Sequence, residues 1–314
     1  MNCRLVTTGA LGALVLMLAG CVSPRYSVTA PPAPKPVHAT IAATPERHYL
    51  GVYEPDGQMT YQPFGKFAAA VGHRPDILLY YSGWYERFRA PFARMARTNG
   101  AIPCIQIQPA GVSLAAIAAG RYDVYLRSYA AQVRAYGHPV IIGFAHEMNA
   151  PWYPWGNKHT SPRTWIAAWR HIVDVFRAQG AGNVTWLWTI NRYNPRITGH
   201  VRDWWPGASY VTWVGIDGYY FAPWETFKDV FQQTINDVRA FTRDPILLSE
   251  TAVGPSAGTS KIPDLFAGMR RDHLLGLIWF DKAQHQGTAH QDWRLEDNPA
   301  ALALFRRAVH RYGR

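Results

Sequence analysis

From residue 49 onward, short apolar runs alternate with longer mixed stretches. Eight of these runs, at residues 49–53, 77–81, 102–107, 140–145, 184–189, 210–216, 245–249 and 275–280, are predicted strands. They are rich in branched and aromatic residues and show little apolar–polar alternation. That pattern fits parallel strands buried on both faces. Helix-like segments separate most of them. The clearest covers residues 162–179, where Trp165, Ala168, Trp169, Ile172, Val173 and Phe176 recur on one helical face. Ser161 is placed to cap its start, Pro162 suits the first helical position, and Gly180 suits a stop. Eight strands alternating with helices predict the α/β class, as a single (β/α)8 TIM barrel rather than an open sheet. No internal repeat of 20–50 residues is evident. The nucleotide-binding patterns GxxxxGK[ST] and GxGxxG are absent.

The first 47 residues read differently. Arg4 and the apolar stretch from Leu11 to Ala19 have the form of an export signal, too short to span a bilayer as a mature helix. Leu18-Ala19-Gly20-Cys21 resembles the bacterial lipoprotein lipobox. That resemblance implies cleavage before Cys21, lipidation of Cys21, and a membrane partner through the anchor. An ordinary signal peptide leading to secretion is the alternative. Residues 1–20 are thus expected to be a signal peptide and residues 21–47 a linker, made semi-rigid by Pro24, Pro31, Pro32, Pro34, Pro36 and Pro45. The catalytic domain is expected at 48–314, exported to the cell envelope. Cys104 is then the sole remaining thiol of three cysteines, so no internal disulfide is expected. It reads as a small buried hydrophobe.

Charge and composition narrow the partners. The formal charge is +11, which allows nucleic acid, an anionic membrane surface or an acidic polysaccharide. The basic residues are dispersed, without the run of about five to eight expected of a nucleic-acid patch, so no nucleic-acid partner is expected. Aromatic content is 14%. The plain reading is a bulky core; the sharper one is that the excess lines a groove where sugar C–H faces pack on rings.

The chemistry concentrates around Glu147 and Glu250. Each lies at the C-terminal end of an apolar run, where barrel active sites form. A retaining glycosidase needs one protonated carboxyl and one ionised carboxylate, about 5–5.5 Å apart. Glu147 is surrounded in sequence by His146, Trp152, Tyr153 and Trp155. Apolar walls raise a carboxyl pKa and suit an acid/base. Glu250 lies between Ser249 and Thr251, with Tyr219 beyond the sixth strand. Hydroxyl donors favour the charged carboxylate and suit a nucleophile. Taken singly, a strand-end glutamate is as readily a solvated surface group, and His146 a satisfied core histidine. His-Glu begins the HExxH zinc motif, but Ala150 stands three residues beyond Glu147 where a second His is required. His285 and His290 are a looser pair, better read as loop decoration. No metal is expected.

The run His146-Glu147-Met148-Asn149-Ala150-Pro151-Trp152-Tyr153-Pro154-Trp155-Gly156 resembles glycoside hydrolase family 26. Asn183 to Trp188, Tyr210 to Tyr219, Leu248-Ser249-Glu250-Thr251, Ile278-Trp279-Phe280 and Asp292-Trp293-Arg294 extend the likeness. The resemblance implies Glu147 as acid/base and Glu250 as nucleophile, without a cofactor. It implies that His146 and Tyr219 contact the reacting sugar or orient the carboxylates, and that Trp152 and Trp279 line sugar subsites. The implied activity is endo-β-1,4-mannanase on a polysaccharide, by a monomer. β-1,3-1,4-Glucanase, β-xylanase and a non-catalytic carbohydrate-binding envelope protein are the alternatives. The chain departs from the family at Ala150, often Gly, and at Gly143, often Arg.

Overall fold

The computed structural model describes residues 47–195, 197, 199–283 and 291–312. Eight parallel strands close in sequence order into a barrel: β1 (Tyr49–Tyr53), β2 (Ile77–Gly83), β3 (Ile102–Gln108), β4 (Val140–Phe144), β5 (Val184–Asn191), β6 (Trp213–Asp217), β7 (Ile246–Thr251) and β8 (Gly276–Phe280). The helices α1 (Gln62–Val71), α2 (Ala90–Thr98), α3 (Leu114–Ala118), α4 (Asp123–Tyr136), α5 (Pro162–Ala178), α6 (Gln233–Arg239), α7 (Lys261–Arg271) and α8 (Pro299–Tyr312) follow the strands. The TIM-barrel expectation holds.

Strand parity divides the core. On alternate positions Tyr49, Ile77, Leu79, Cys104, Ile141, Leu187, Trp213, Leu247 and Ile278 fill the barrel interior. The intervening positions, among them Val52, Leu78, Ile105, Ile142, Val214 and Leu248, form the layer that packs on the helices. Both faces of each strand are therefore apolar, which is why the sequence shows runs rather than alternation.

Local boundaries follow backbone chemistry. Ser161 Oγ accepts the Thr164 N–H at 3.2 Å and opens α5, and Gly180 turns the chain at φ +71°. β4 stops at Phe144 because Ala145 adopts a left-handed φ of +48°. β6 starts three residues later than its apolar run, because Ala208–Tyr210 form a short 3-10 turn.

Near the C-terminal mouth the interior turns polar. Gln106, Thr189, Asp217 and Ser249 are all buried there. Gln106 Nε2 donates to Thr189 Oγ1 at 2.9 Å, and Ser249 Oγ donates to Asp217 Oδ1 at 2.6 Å. Two glycines make the room. A Cβ on Gly143 would sit 2.0 Å from Gln106 Oε1, and one on Gly215 would sit 2.4 Å from Ser249 Oγ.

Candidate active site

The polypeptide between β4 and α5 builds the wall around Glu147. Ala145 and Glu147 are both left-handed, with φ +48° and +54°. Non-glycine residues rarely take this conformation, which costs about 1–2 kcal/mol each. The carbonyls displaced by these kinks are not left bare. Trp165 Nε1 donates to the Ala145 carbonyl at 3.2 Å, and Trp155 Nε1 to that of His146 at 2.8 Å. The Glu147 N–H reaches the Thr189 carbonyl of β5 at 2.9 Å. Asn149 clasps the backbone of Asn191 at the end of β5 twice, accepting its N–H at 2.9 Å and donating to its carbonyl at 2.8 Å.

The Glu147 carboxyl is held at both oxygens. Asn191 Nδ2 donates to Oε1 at 2.5 Å, and Trp152 Nε1 donates to Oε2 at 2.6 Å. Trp152 is 45% exposed, so one indole both fixes the carboxyl and offers a face to the solvent side of the mouth. Burial and the negative charge of Glu250 push the Glu147 pKa up to about 8, against the lowering effect of its two donors.

Glu250 stands on β7 beside Asp217 of β6, its register partner. Tyr219 donates to Oε2 at 2.6 Å, and Tyr81, at the inward position of β2, donates to Oε1. Burial raises the Glu250 pKa. The two phenols and the Lys282 charge oppose the shift. The two glutamates thus share one mouth but meet different donors, two N–H groups in one case and two phenolic hydroxyls in the other.

His146 links the halves. Its ring lies 5.5 Å from that of Tyr81, and Nε2 is 3.2 Å from the Tyr153 hydroxyl. Burial lowers its pKa to about 3, so the imidazole is neutral at physiological pH. Among the described residues Nδ1 has no hydrogen-bond partner.

One expected site residue is corrected. Trp279 does not face the mouth. It is fully buried, its Nε1 donates to the Trp293 carbonyl at 3.0 Å, and its ring lies 5.0 Å from Phe305 of α8. Strand parity is the reason: on β8 Ile278 and Phe280 face the interior side, so Trp279 between them points to the helices. Phe280, stacked on Tyr53 at 4.8 Å and 5.7 Å from Tyr219, takes the mouth position.

Sequence reasoning assigned no role to Tyr81, Asn191 or Asp217. All three continue the inward parity of their strands to the mouth, which is the signal that identifies them. Asp217 is wholly buried. Burial, then the charges of Glu250 and Glu147, hold its pKa well above the usual carboxylate range. It lies on β6, between β5 and the strand that bears Glu250. A second buried acid, Asp281, lies just past β8. Its Oδ1 accepts the Leu295 N–H at 2.9 Å. Burial and its neighbours Glu296 and Glu54 raise its pKa to about 10, and burial raises Glu54 to about 7. No group of three metal-ligating side chains occurs among the described residues. His285 and His290 lie outside them.

A parallel barrel whose C-terminal mouth holds two buried, separately donor-bound glutamates has the architecture of a TIM-barrel hydrolase. The model of glycosyl hydrolase family 26 matches residues 124–294, more than half of the chain, and the chain belongs to that family of glycoside hydrolases. It is 30% identical over 260 residues to endoglucanase H of Acetivibrio thermocellus, covering 77% of this chain and 28% of that protein. It is 31% identical over 176 residues to mannan endo-1,4-β-mannosidase A and B of Caldalkalibacillus mannanilyticus, covering 54% of this chain and 31% of that protein. The chain thus spans about three-tenths of the length of these relatives. The solved catalytic domain of a family 26 endo-β-1,4-mannanase from Bacillus sp. JAMB-750 shares the fold, with TM-score 0.64 and 16% identity over 84% of this chain and 86% of that one.

Proposed function

We propose that the chain hydrolyses internal β-linkages of a polysaccharide with retention, and that this polysaccharide is β-1,4-mannan. The observation that carries this reading is the unequal treatment of two coupled carboxyls in one mouth. Glu147, held up to about 8, is protonated at neutral pH and gives its proton to the glycosidic oxygen as the C–O bond breaks. Glu250, stabilised as an anion by Tyr81 and Tyr219, attacks the anomeric carbon and forms a glycosyl ester. Esterification removes the Glu250 charge, which is one of the causes of the raised Glu147 pKa, so Glu147 becomes a stronger acid and stays ionised. It then takes a proton from the water that cleaves the ester, restoring both groups. Trp152 offers its exposed face to the sugar beside the cleaved bond, and neutral His146 orients the pair.

The test is hydrolysis of β-mannan by the full chain and by Glu250→Ala. Loss of at least about 10³-fold in kcat with an unchanged melting temperature supports the nucleophile. Full activity in the variant overturns it. Proton NMR of the first product reports stereochemistry, and an inverted anomer rules out double displacement. A second reading is favoured by the 77% coverage in the match to an endoglucanase: the same chemistry on mixed-linkage glucan, with xylan as a further candidate. Initial rates on a panel of purified polysaccharides separate these from mannan. Binding without turnover on all of them means a non-catalytic carbohydrate-binding protein. Export with lipid on Cys21 is part of the proposal; a Cys21→Ser variant that still partitions with membranes would remove it.

A further inference from the structure

Beside α4, the loop that follows β2 and the start of the helix flank an open surface cavity of about 510 Å³. Tyr85, Tyr122 and Tyr125 line it together with Arg87 and Arg121. It contains none of the groups that hold Glu147 or Glu250. Trp84 packs beneath it, its ring 5.0 Å from Tyr125 and 6.0 Å from Phe144 on the helix-facing side of β4.

Three features mark this cavity as built for a ligand. Tyr85 has a left-handed φ of +71° and is 62% exposed. An aromatic residue held in a disfavoured backbone conformation with its ring in solvent gains little from packing. Its ring lies 6.0 Å from Tyr122 and 5.7 Å from Tyr125, and the Tyr125 hydroxyl is anchored on the Glu86 carbonyl at 3.1 Å. Tyr125 is thus held in place, and the Tyr85 ring stands edge-on to it and to Tyr122. The charge is the third feature. Among the described residues neither Arg87 nor Arg121 has an ion pair or a side-chain hydrogen bond. The nearest acids in sequence are already engaged, Glu86 with Arg89 at 2.8 Å and Asp123 with His171 at 2.6 Å and Arg127 at 3.1 Å.

Flat rings accept the C–H face of a pyranose, and a guanidinium accepts a carboxylate in its planar fork. The geometry points to a second binding site, distinct from the catalytic mouth, for an oligosaccharide that carries uronic-acid carboxylates. Such a site holds an acidic glycan against the loop after β2 and the start of α4 whatever bond the mouth cleaves, so it goes beyond the hydrolytic reading and does not depend on it.

The experiment is calorimetric titration of the full chain carrying Glu250→Ala, to prevent turnover, with a glucuronic-acid-bearing xylo-oligosaccharide and its carboxyl-reduced counterpart. The site predicts binding of the acidic oligomer at least about tenfold tighter than the reduced one. Arg87→Gln with Arg121→Gln should remove that difference. Tyr85→Gly, which relieves the backbone while deleting the ring, should weaken both oligomers. Equal affinity for the two oligomers overturns the proposal, as does undiminished binding in the arginine variant. Inorganic phosphate binding as tightly as the oligosaccharide also overturns it, because the cavity is then an anion hole and not a glycan site. Hydrolysis of a neutral polysaccharide by the same wall variants in the Glu250 background should be unchanged, so a failure here and a failure of the catalytic reading are read from different measurements.

Discussion

Tyr219 and Trp152 each give one hydrogen bond to a different carboxyl, and that asymmetry sets opposite limbs of a pH profile. The acidic limb of kcat/KM reports the group that must be ionised, and the alkaline limb the group that must keep its proton. Tyr219→Phe removes the 2.6 Å donor to Glu250. The carboxylate loses stabilisation, its pKa rises further, and the acidic limb moves to higher pH by about one to two units. Trp152→Phe removes the 2.6 Å donor to Glu147. The alkaline limb, near pH 8 because Glu147 is pushed up to about 8, then moves upward as well. Rate profiles of the two variants check both signs. A Tyr219→Phe profile displaced only on its alkaline side would mean that the roles of the two glutamates are exchanged. This division was partly legible in the sequence. Glu147, Glu250, His146, Trp152 and Tyr219 lie in runs whose composition marks a mouth. Tyr81 was not, because β2 reads as an apolar run to its end and only closure of the barrel carries that hydroxyl across to Glu250, 169 residues away.

Elements place these residues by parity, and two glycines keep the parity polar near the mouth. Gly215→Ala puts a methyl 2.4 Å from Ser249 Oγ and 2.6 Å from Thr189 Oγ1. Relief requires moving strand backbone or breaking the Ser249–Asp217 bond, so the variant should lose about 1–3 kcal/mol by denaturant unfolding. It should also lose activity, since β7 carries Glu250 one residue further on. Ser161→Ala is a contrasting case. It deletes only the cap of α5, with an expected cost of about 1 kcal/mol and no change in kcat. Gly215→Ala with wild-type stability would mean that the polar layer is loosely packed. The strand series was legible because buried parallel strands read as uninterrupted apolar runs. Which face each residue takes was not, since both faces are apolar. Trp279 shows the consequence: within Ile278-Trp279-Phe280 nothing in the composition tells the outward ring from the inward one, and only register against β1 and β7 decides. The kink at Ala145 was equally hidden, because it is held by indoles of Trp155 and Trp165, which lie ten and twenty residues downstream.

At the scale of the whole molecule, closing the barrel buries more carboxyls than the chemistry of two glutamates requires, and that has a cost in stability with a definite sign. Glu54 is raised from 4.5 to about 7 and Asp281 from 3.8 to about 10, each chiefly by burial. Both groups are more readily protonated in the folded chain than in the unfolded one. The unfolded chain gains ionisation first as pH rises, so it binds fewer protons than the native state between the two values, and stability falls with rising pH across that window. For Glu54 the window is pH 4.5 to about 7; for Asp281 it runs from 3.8 to about 10. Well below 3.8 both states are protonated and these groups contribute no slope. The expected outcome is a melting temperature that declines from pH 5 to pH 8. Asp281→Asn keeps an oxygen for the Leu295 N–H and removes the titration, and with Glu54→Gln it should flatten that decline. Calorimetric melting of the two proteins across this range checks it. An equal slope in both would place the linked protons elsewhere, with Asp217, Glu147 and Glu250, the buried acids of the mouth whose pKa is also raised, the next to replace. The same burial that raises the Glu147 pKa therefore draws the stability optimum of the barrel toward acid.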